Sequence, residues 1–222
     1  KILSMNFNET EFEVKTAIET IKSKLPITGE HTIYNIVAGC VAALSAGFSL
    51  QSSLQALKNF YGVPGRLQKV ESSSSKVVFV DYAHTPDALK NVLESLNTIR
   101  EKSNLKSKII CVFGCGGDRD KAKRPIMAKH AAELSDFVYV TSDNPRTENP
   151  ETIVEEILFG LPKDFKNFKA IVDREQAIQQ AIATANDYDV ILIAGKGHED
   201  YQIIGTERKH FSDVIVAQKY LN

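Results

Sequence analysis

With 222 residues, 43% of them apolar, the chain can bury a substantial core as one large domain or as one and a half ordinary ones. Its 27 basic and 28 acidic residues leave a net charge of −1, so nothing in the composition marks a nucleic-acid footprint or a polybasic membrane patch, and a small specific ligand is favoured. The longest nearly apolar stretch, 36–48, falls short of the roughly 20 residues of a membrane helix, and no secretory signal is visible.

In chain order, residues 1–68 are predicted to be mostly helical, with apolar positions at helical spacing over 12–21, 33–47 and 50–60. Gly62, Pro64 and Gly65 break the pattern. The run Ser72-Ser73-Ser74-Ser75 predicts a surface turn before a strand, with a domain boundary near residue 69. From there short apolar runs predict strands at 77–80, 109–113, 137–140, 170–172 and 190–194, alternating with helices as in a parallel sheet covered on both faces. Thr85 before Pro86 and Asn149 before Pro150 are N-cap signals, Pro125 opens a helix toward Leu134, and Ser212 or Asp213 starts a last helix ending near Leu221. A further strand is expected at 201–204, paired antiparallel after the turn at Gly205.

Four strand exits carry polar loops: Asp81-Tyr82-Ala83-His84-Thr85-Pro86, Gly114-Cys115-Gly116-Gly117-Asp118-Arg119-Asp120, Ser142-Asp143-Asn144-Pro145-Arg146 and Gly195-Lys196-Gly197-His198-Glu199-Asp200. Ligands bind beyond the carboxyl ends of strands in an open parallel sheet, so these loops are expected to share one pocket. Asp143-Asn144-Pro145-Arg146 has the vocabulary of an amino-acid site: a guanidinium grips a carboxylate through two parallel hydrogen bonds, while Asp143 and Glu199 can accept from an ammonium. Arg119 supplies a second guanidinium, enough for a ligand with two carboxylates and two ammoniums. The loop 114–120 is similar to a phosphate cradle but has Arg119 where the dinucleotide fingerprint needs Gly, which disfavours a nicotinamide-dependent dehydrogenase. Lys121 and Lys123 are read as solvated, and His31, His130 and His210 as ordinary. His84 and His198 lack zinc-site spacing. Cys40 and Cys111 read as core residues and Cys115 as a small residue in a tight turn rather than a reactive thiol; a reducing cytoplasm fits.

These loops, together with Tyr34-Asn35, Pro64-Gly65-Arg66-Leu67 and Lys123-Arg124-Pro125, closely resemble the Mur ligases of peptidoglycan synthesis, in the family's order and over nearly the whole chain. The resemblance implies an α/β architecture: a Rossmann-like C-terminal domain with a mostly parallel sheet at 69–222, which receives the amino acid, preceded at 1–68 by a mainly helical remnant of the central ATPase domain. A start at Lys1 fits a fragment. The family's phosphate-binding loop G-x-x-x-x-G-K-[ST] occurs nowhere in the sequence, so the fragment is expected to be inactive alone.

The implied reaction is ATP-dependent addition of meso-diaminopimelate to UDP-N-acetylmuramoyl-L-alanyl-D-glutamate through an acyl phosphate, in the cytoplasm, by a monomer that neither binds nucleic acid nor inserts in a membrane. By motif position Asn35, Arg66, Asp81 and His84 would contact ATP. Arg119, Asp143, Asn144, Pro145, Arg146, Gly195 and Glu199 would line the diaminopimelate site, and the Mg2+ ligands would lie outside this chain. Relatives that add lysine lack the Arg of this motif. Burying Arg146 opposite a lysine would cost on the order of 3 kcal/mol. Lanthionine, lysine, a peptide-recycling ligase and a pure amino-acid-binding module remain the alternatives.

Overall fold

The computed structural model describes residues 1–103 and 106–222. They divide into two compact units, Lys1–Val63 with Thr98–Lys106 and Pro64–Asn97 with Ser107–Asn222.

The first unit opens with an antiparallel sheet of β1 (Ile2–Met5), β2 (Thr10–Lys15) and β3 (Thr20–Leu25), in that order. The helix expected over 12–21 is thereby overturned. Phe12 and Val14 alternate with Glu11, Glu13 and Lys15, and Val14 stands opposite Ile21 across the ladder. Period 2 on each strand, interrupted by a turn, had imitated period 3.6 across both. In that turn Thr16 Oγ1 accepts from the N–H groups of Ile18 and Glu19 at 3.3 and 3.1 Å, leaving Ile18 92% exposed at the tip. Helices α1 (Glu30–Ser45) and α2 (Leu50–Ala56) follow, the second capped by Ser49, whose hydroxyl accepts from the Ser52 N–H at 3.0 Å. Asn35 is exposed on α1, and Cys40 is buried in its inner face.

The second unit contains β4 (Gln68–Lys69), β5 (Val77–Asp81), most of α3 (Pro86–Lys102), β6 (Ile109–Cys115), α4 (Lys123–Leu134), β7 (Phe137–Ser142) and α5 (Pro150–Leu158). It continues through β8 (Phe168–Ala170), α6 (Arg174–Thr184), β9 (Val190–Ala194), the hairpin β10 (Tyr201–Ile204) and β11 (Glu207–His210), and α7 (Asp213–Leu221). The sheet order is β4-β5-β9-β6-β7-β8, parallel throughout except for the short edge strand β4. Every residue of β6 and β9 is buried, as expected of strands covered on both faces. On one face Val78, Val80, Val112 and Ile193 pack in a cluster with Ala177 and Ala181 of α6 and Ala217 of α7.

The caps form as anticipated: Thr85 Oγ1 accepts from the Ala88 N–H at 3.3 Å, Asn149 Oδ1 from Thr152 at 2.9 Å and Ser212 Oγ from Ile215 at 3.4 Å. Several boundaries differ from expectation: β5 and β7 run on to Asp81 and Ser142, and α4 begins at Lys123, two residues before Pro125. β8 begins at Phe168, because its register with β7 runs from Val138↔Phe168 to Val140↔Ala170. β6 runs on to Cys115, paired with Ser142, so the glycine-rich loop starts only at Gly116. Gly114 is inside the sheet, where a Cβ would stand 2.3 Å from Thr141 O. Burial pushes the thiols of Cys111 and Cys115 up to about 12, which removes their thiolate reactivity. Among the described residues no helix is long and apolar enough to cross a membrane.

Candidate functional site

Because β5, β9, β6 and β7 are neighbours in the sheet, their carboxyl ends place the four polar loops side by side. The loops after β6 and β7 are clamped together. Gly117 N–H donates to Asn144 O at 2.9 Å, Asp118 N–H to Glu148 Oε1 at 2.6 Å and Thr147 Oγ1 to Asp118 Oδ1 at 2.9 Å. These N–H groups are spent within the protein, so the loop is not the open phosphate cradle its glycines suggested. Gly117 has no room for a side chain, since a Cβ would lie 1.9 Å from Pro145 O.

Arg146 has left-handed backbone, φ 52°, a conformation that costs a non-glycine residue about 1–3 kcal/mol and persists only where the surroundings impose it. The hairpin imposes it: Arg146 N–H donates to Ile203 O at 3.1 Å, and Gly205 N–H donates to Arg146 O at 2.7 Å. The half-buried guanidinium is thereby turned onto the glycine-rich loop, where Nη1 donates to Gly117 O at 2.8 Å and Asn144 O at 3.4 Å. Arg119, exposed, adjoins it: a Cβ on Gly116 would stand 2.9 Å from Arg146 Nη1 and 3.6 Å from Arg119 Cγ. Among the described residues neither guanidinium has a carboxylate partner within ion-pair distance, and Arg119 Nη1 donates to Asp118 O at 3.1 Å.

The expected ammonium acceptors are not both free. Lys196, fully buried, places Nζ 2.9 Å from Asn144 Oδ1 and 3.5 Å from both Asp143 Oδ1 and Glu199 Oε2. Asn144 Nδ2 donates to Glu199 Oε2 at 3.0 Å. Gly195, at φ 121°, keeps its Cα face open to Asp143, whose Oδ2 would be 2.5 Å from any Cβ there. Sequence reading quoted Lys196 within its motif but assigned it no role.

On the other side of the same loop, Gly197 packs on Gly65 and Tyr82. Asp81 accepts from the N–H groups of Leu67 at 2.6 Å and Ala83 at 2.8 Å. Burial raises its pKa, a shift opposed by those two bonds and by the charge of Arg66. The Arg66 guanidinium lies 5.0 Å from the centre of the Tyr82 ring, and the His84 and His198 rings lie 4.5 and 5.3 Å from it. His84 Nδ1 donates to Tyr82 O at 2.8 Å, which leaves Nε2 for a ligand. Arg66, Asp81 and His84 are thus brought together, whereas Asn35 belongs to the first unit.

Two buried arginines support the loops: Arg174, missed in the sequence, and Arg124, quoted within Lys123-Arg124-Pro125 but given no role. Arg174 and Asp213 are fully buried, paired at 2.7 Å; Arg174 also donates to Ala194 O at 3.0 Å and Ser142 O at 3.3 Å, the last residues of β9 and β7. Arg124, 1% exposed, donates to Glu148 Oε1 at 2.9 Å, to Glu156 and to Gly116 O at 3.2 Å. This bond holds the Glu148 carboxyl down at about 2. Lys121 sits outside the pair, 3.1 Å from Glu148 and 58% exposed, close to its expected solvated role. A run of charges in the sequence does not reveal which member turns inward. Among the described residues no three His, Cys, Asp or Glu side chains are grouped to hold a metal.

A family model described as Mur ligase, glutamate ligase domain, matches residues 65–197. The UDP-N-acetylmuramoyl-L-alanyl-D-glutamate--2,6-diaminopimelate ligase of Bacillus cereus is 42% identical over 219 residues, covering 99% of this chain and 43% of that protein. The protein of the same name from Thermosynechococcus vestitus is 49% identical over 201 residues, 88% of this chain and 39% of its own. A solved structure of a ligase with that name aligns with a TM-score of 0.75 at 35% identity, over 100% of this chain and 44% of that one. A UDP-N-acetylmuramate-alanine ligase from Thermotoga maritima, 22% identical with a TM-score of 0.65 over 99% of this chain and 44% of that one, shares the fold. The chain therefore spans less than half the length of these relatives.

Proposed function

The chain belongs to the Mur ligase family, and on that footing we propose that it is part of an ATP-dependent ligase joining meso-diaminopimelate to the D-glutamyl carboxylate of UDP-N-acetylmuramoyl-L-alanyl-D-glutamate, a cytoplasmic step of peptidoglycan precursor synthesis. Residues 69–222 are the domain that receives the amino acid, and 1–68 are the C-terminal part of the ATPase domain. The observation that carries this reading is Arg146, held in left-handed backbone beside Arg119 with no carboxylate of the described residues to pair. A bidentate partner with a planar carboxylate satisfies it.

In this reading Arg146 and Arg119 take the carboxylates of diaminopimelate, and Asp143, Asn144, Gly195 and Glu199 fix its remaining polar groups. Arg66, Asp81 and His84 fit a nucleotide: a cation over an aromatic ring, a carboxylate at a strand end whose oxygens each keep a lone pair, and an imidazole with a free Nε2. When bound, ATP supplies the phosphoryl group that activates the D-glutamyl carboxylate. The chain's own contribution is to hold the attacking amine in line and keep water from the activated acyl group. The described residues offer no metal cluster, so no step is assigned to a metal held by them.

The test is phosphate release by the intact protein with UDP-N-acetylmuramoyl-dipeptide and ATP, with meso-diaminopimelate, lanthionine or lysine as acceptor. Release that needs both the dipeptide and diaminopimelate is expected. A lysine preference would overturn the role given to Arg146, and release indifferent to any acceptor would overturn the ligase.

A further inference from the structure

We propose that the hairpin of β10 and β11 is the template of the acceptor site: the outward edge of β10 sets Asp143, Asn144, Arg146 and Glu199 in place together, with Gln202 and Tyr201 as positioning residues. The inference rests on the ligase reading above and adds residues that the motif loops do not contain.

The hairpin stands outside the six-stranded sheet, and every residue of β11 is exposed, so it adds little to the core. A lone two-stranded hairpin is marginally stable in water. This one is held by the loop after β7. Bonded and non-bonded pairs alternate along an antiparallel ladder, and the pair flanking a two-residue turn is bonded. Here Ile204 and Glu207 flank the turn Gly205-Thr206, so at the next pair, Ile203 and Arg208, the N–H and C=O groups point away from the partner strand. Ile203 directs both onto the loop: its N–H donates to Asn144 Oδ1 at 3.0 Å, and its carbonyl accepts from the Arg146 N–H at 3.1 Å. Ile204 forms a parallel bridge with Arg146, and Gly205, at φ 62°, donates its N–H to Arg146 O at 2.7 Å.

Two side chains complete the pattern. Gln202 Nε2 donates to Asp143 O at 2.6 Å, and a flipped amide would set oxygen against oxygen, so its orientation is fixed. The bond holds the backbone of Asp143 without engaging its carboxylate. The Tyr201 hydroxyl is hydrogen-bonded to the Glu199 side chain, whose charge, before any other cause, pushes that hydroxyl above its ordinary pKa and keeps it a donor. Arg208 of β11 lies over the Tyr201 ring at 3.7 Å and steadies it. Residues from the loops after β7 and β9 are thus registered against one short strand.

The experiment measures phosphate release by the intact enzyme while each substrate is varied with the other two saturating. Gln202→Leu keeps most of the bulk and removes the donor. KM for meso-diaminopimelate should rise roughly tenfold, the scale of one hydrogen bond left unmade, with KM for ATP within about twofold. The kcat/KM preference for diaminopimelate over lysine should fall by a similar factor, a ratio that loss of folded enzyme cannot change. Tyr201→Phe keeps the ring beneath Arg208 and loses only the hydroxyl, so it carries the test where Gln202→Leu does not fold. It should raise KM for diaminopimelate about as much, again without moving KM for ATP.

An unchanged KM for diaminopimelate in either folded variant would overturn the proposal. So would an unchanged preference over lysine in Gln202→Leu, or an equal rise in KM for every substrate. Wild-type enzyme without diaminopimelate-dependent release would overturn the ligase reading itself, and this inference with it.

Discussion

At the amino-terminal ends of β6, β7, β8 and β9 a cavity of about 260 Å³ is lined by Lys108, Asp136, Asn167, Lys169, Asn186 and Asp189, while at the carboxyl-terminal ends of the parallel strands lies the cluster of loops around Arg146. Both edges are rich in charge, yet they use it differently. Asp136 accepts from the Ile109 N–H at 2.7 Å, and Asp189 accepts from Lys108 N–H at 2.7 Å and Asn186 N–H at 2.9 Å. Those carboxylates complete the starts of strands. At the other edge Arg146 has no carboxylate partner within ion-pair distance among the described residues, and its left-handed backbone is held in place by a hairpin. A hollow lined by satisfied groups is architecture; uncompensated charge on a rigid frame calls for a ligand.

The largest test of that contrast removes the frame under the loops. Arg174→Met leaves Asp213 buried and unpaired, and should cost about 3–5 kcal/mol in urea unfolding of the intact protein, with Arg174→Met combined with Asp213→Leu recovering most of it. Next, Arg146→Ala should lower kcat/KM for meso-diaminopimelate about a hundredfold, near 3 kcal/mol, while KM for ATP stays within about twofold. An unchanged preference over lysine would remove the main support for the acceptor assignment.

Glu148 sharpens the comparison through pH. Its carboxyl is held down at about 2 against an ordinary 4.5, so the stability it contributes is complete above about 4.5 and is lost as pH falls toward 2. Glu148→Gln should cost about 2 kcal/mol at neutral pH and flatten that acid limb in a series of thermal midpoints; an acid limb identical to wild type would show that the Arg124 pair is not its source. At the amino edge, Lys169→Ala should change stability by no more than about 0.5 kcal/mol and leave the kinetics alone. A kinetic effect there would break the contrast between the two edges.

Much of the parallel half was legible because its signals are local. Apolar runs such as 190–194, N-caps such as Asn149 before Pro150, and loops such as Asp143-Asn144-Pro145-Arg146 are set by adjacent residues, and the structure has each of them. The antiparallel sheet at the N-terminus was misread because Phe12, Val14, Ile18 and Ile21 also satisfy a helical spacing once a turn is ignored. The edge strand β4 is two residues long and was not anticipated; its identity lies in its pairing with Val80 and Phe79.

By itself the sequence determined the alternation of strands and helices, the polar loops at the strand exits and the family resemblance, since each depends on residue type and short spacing. Tertiary structure alone decided which charges are consumed. Lys196 meets Asp143 from 53 positions away, Arg174 meets Asp213 from 39 and Arg124 meets Glu148 from 24. No local pattern encodes such pairs. A lysine in a loop is equally at home in water or between two carboxylates, and the difference is the desolvation that only the assembled sheet imposes.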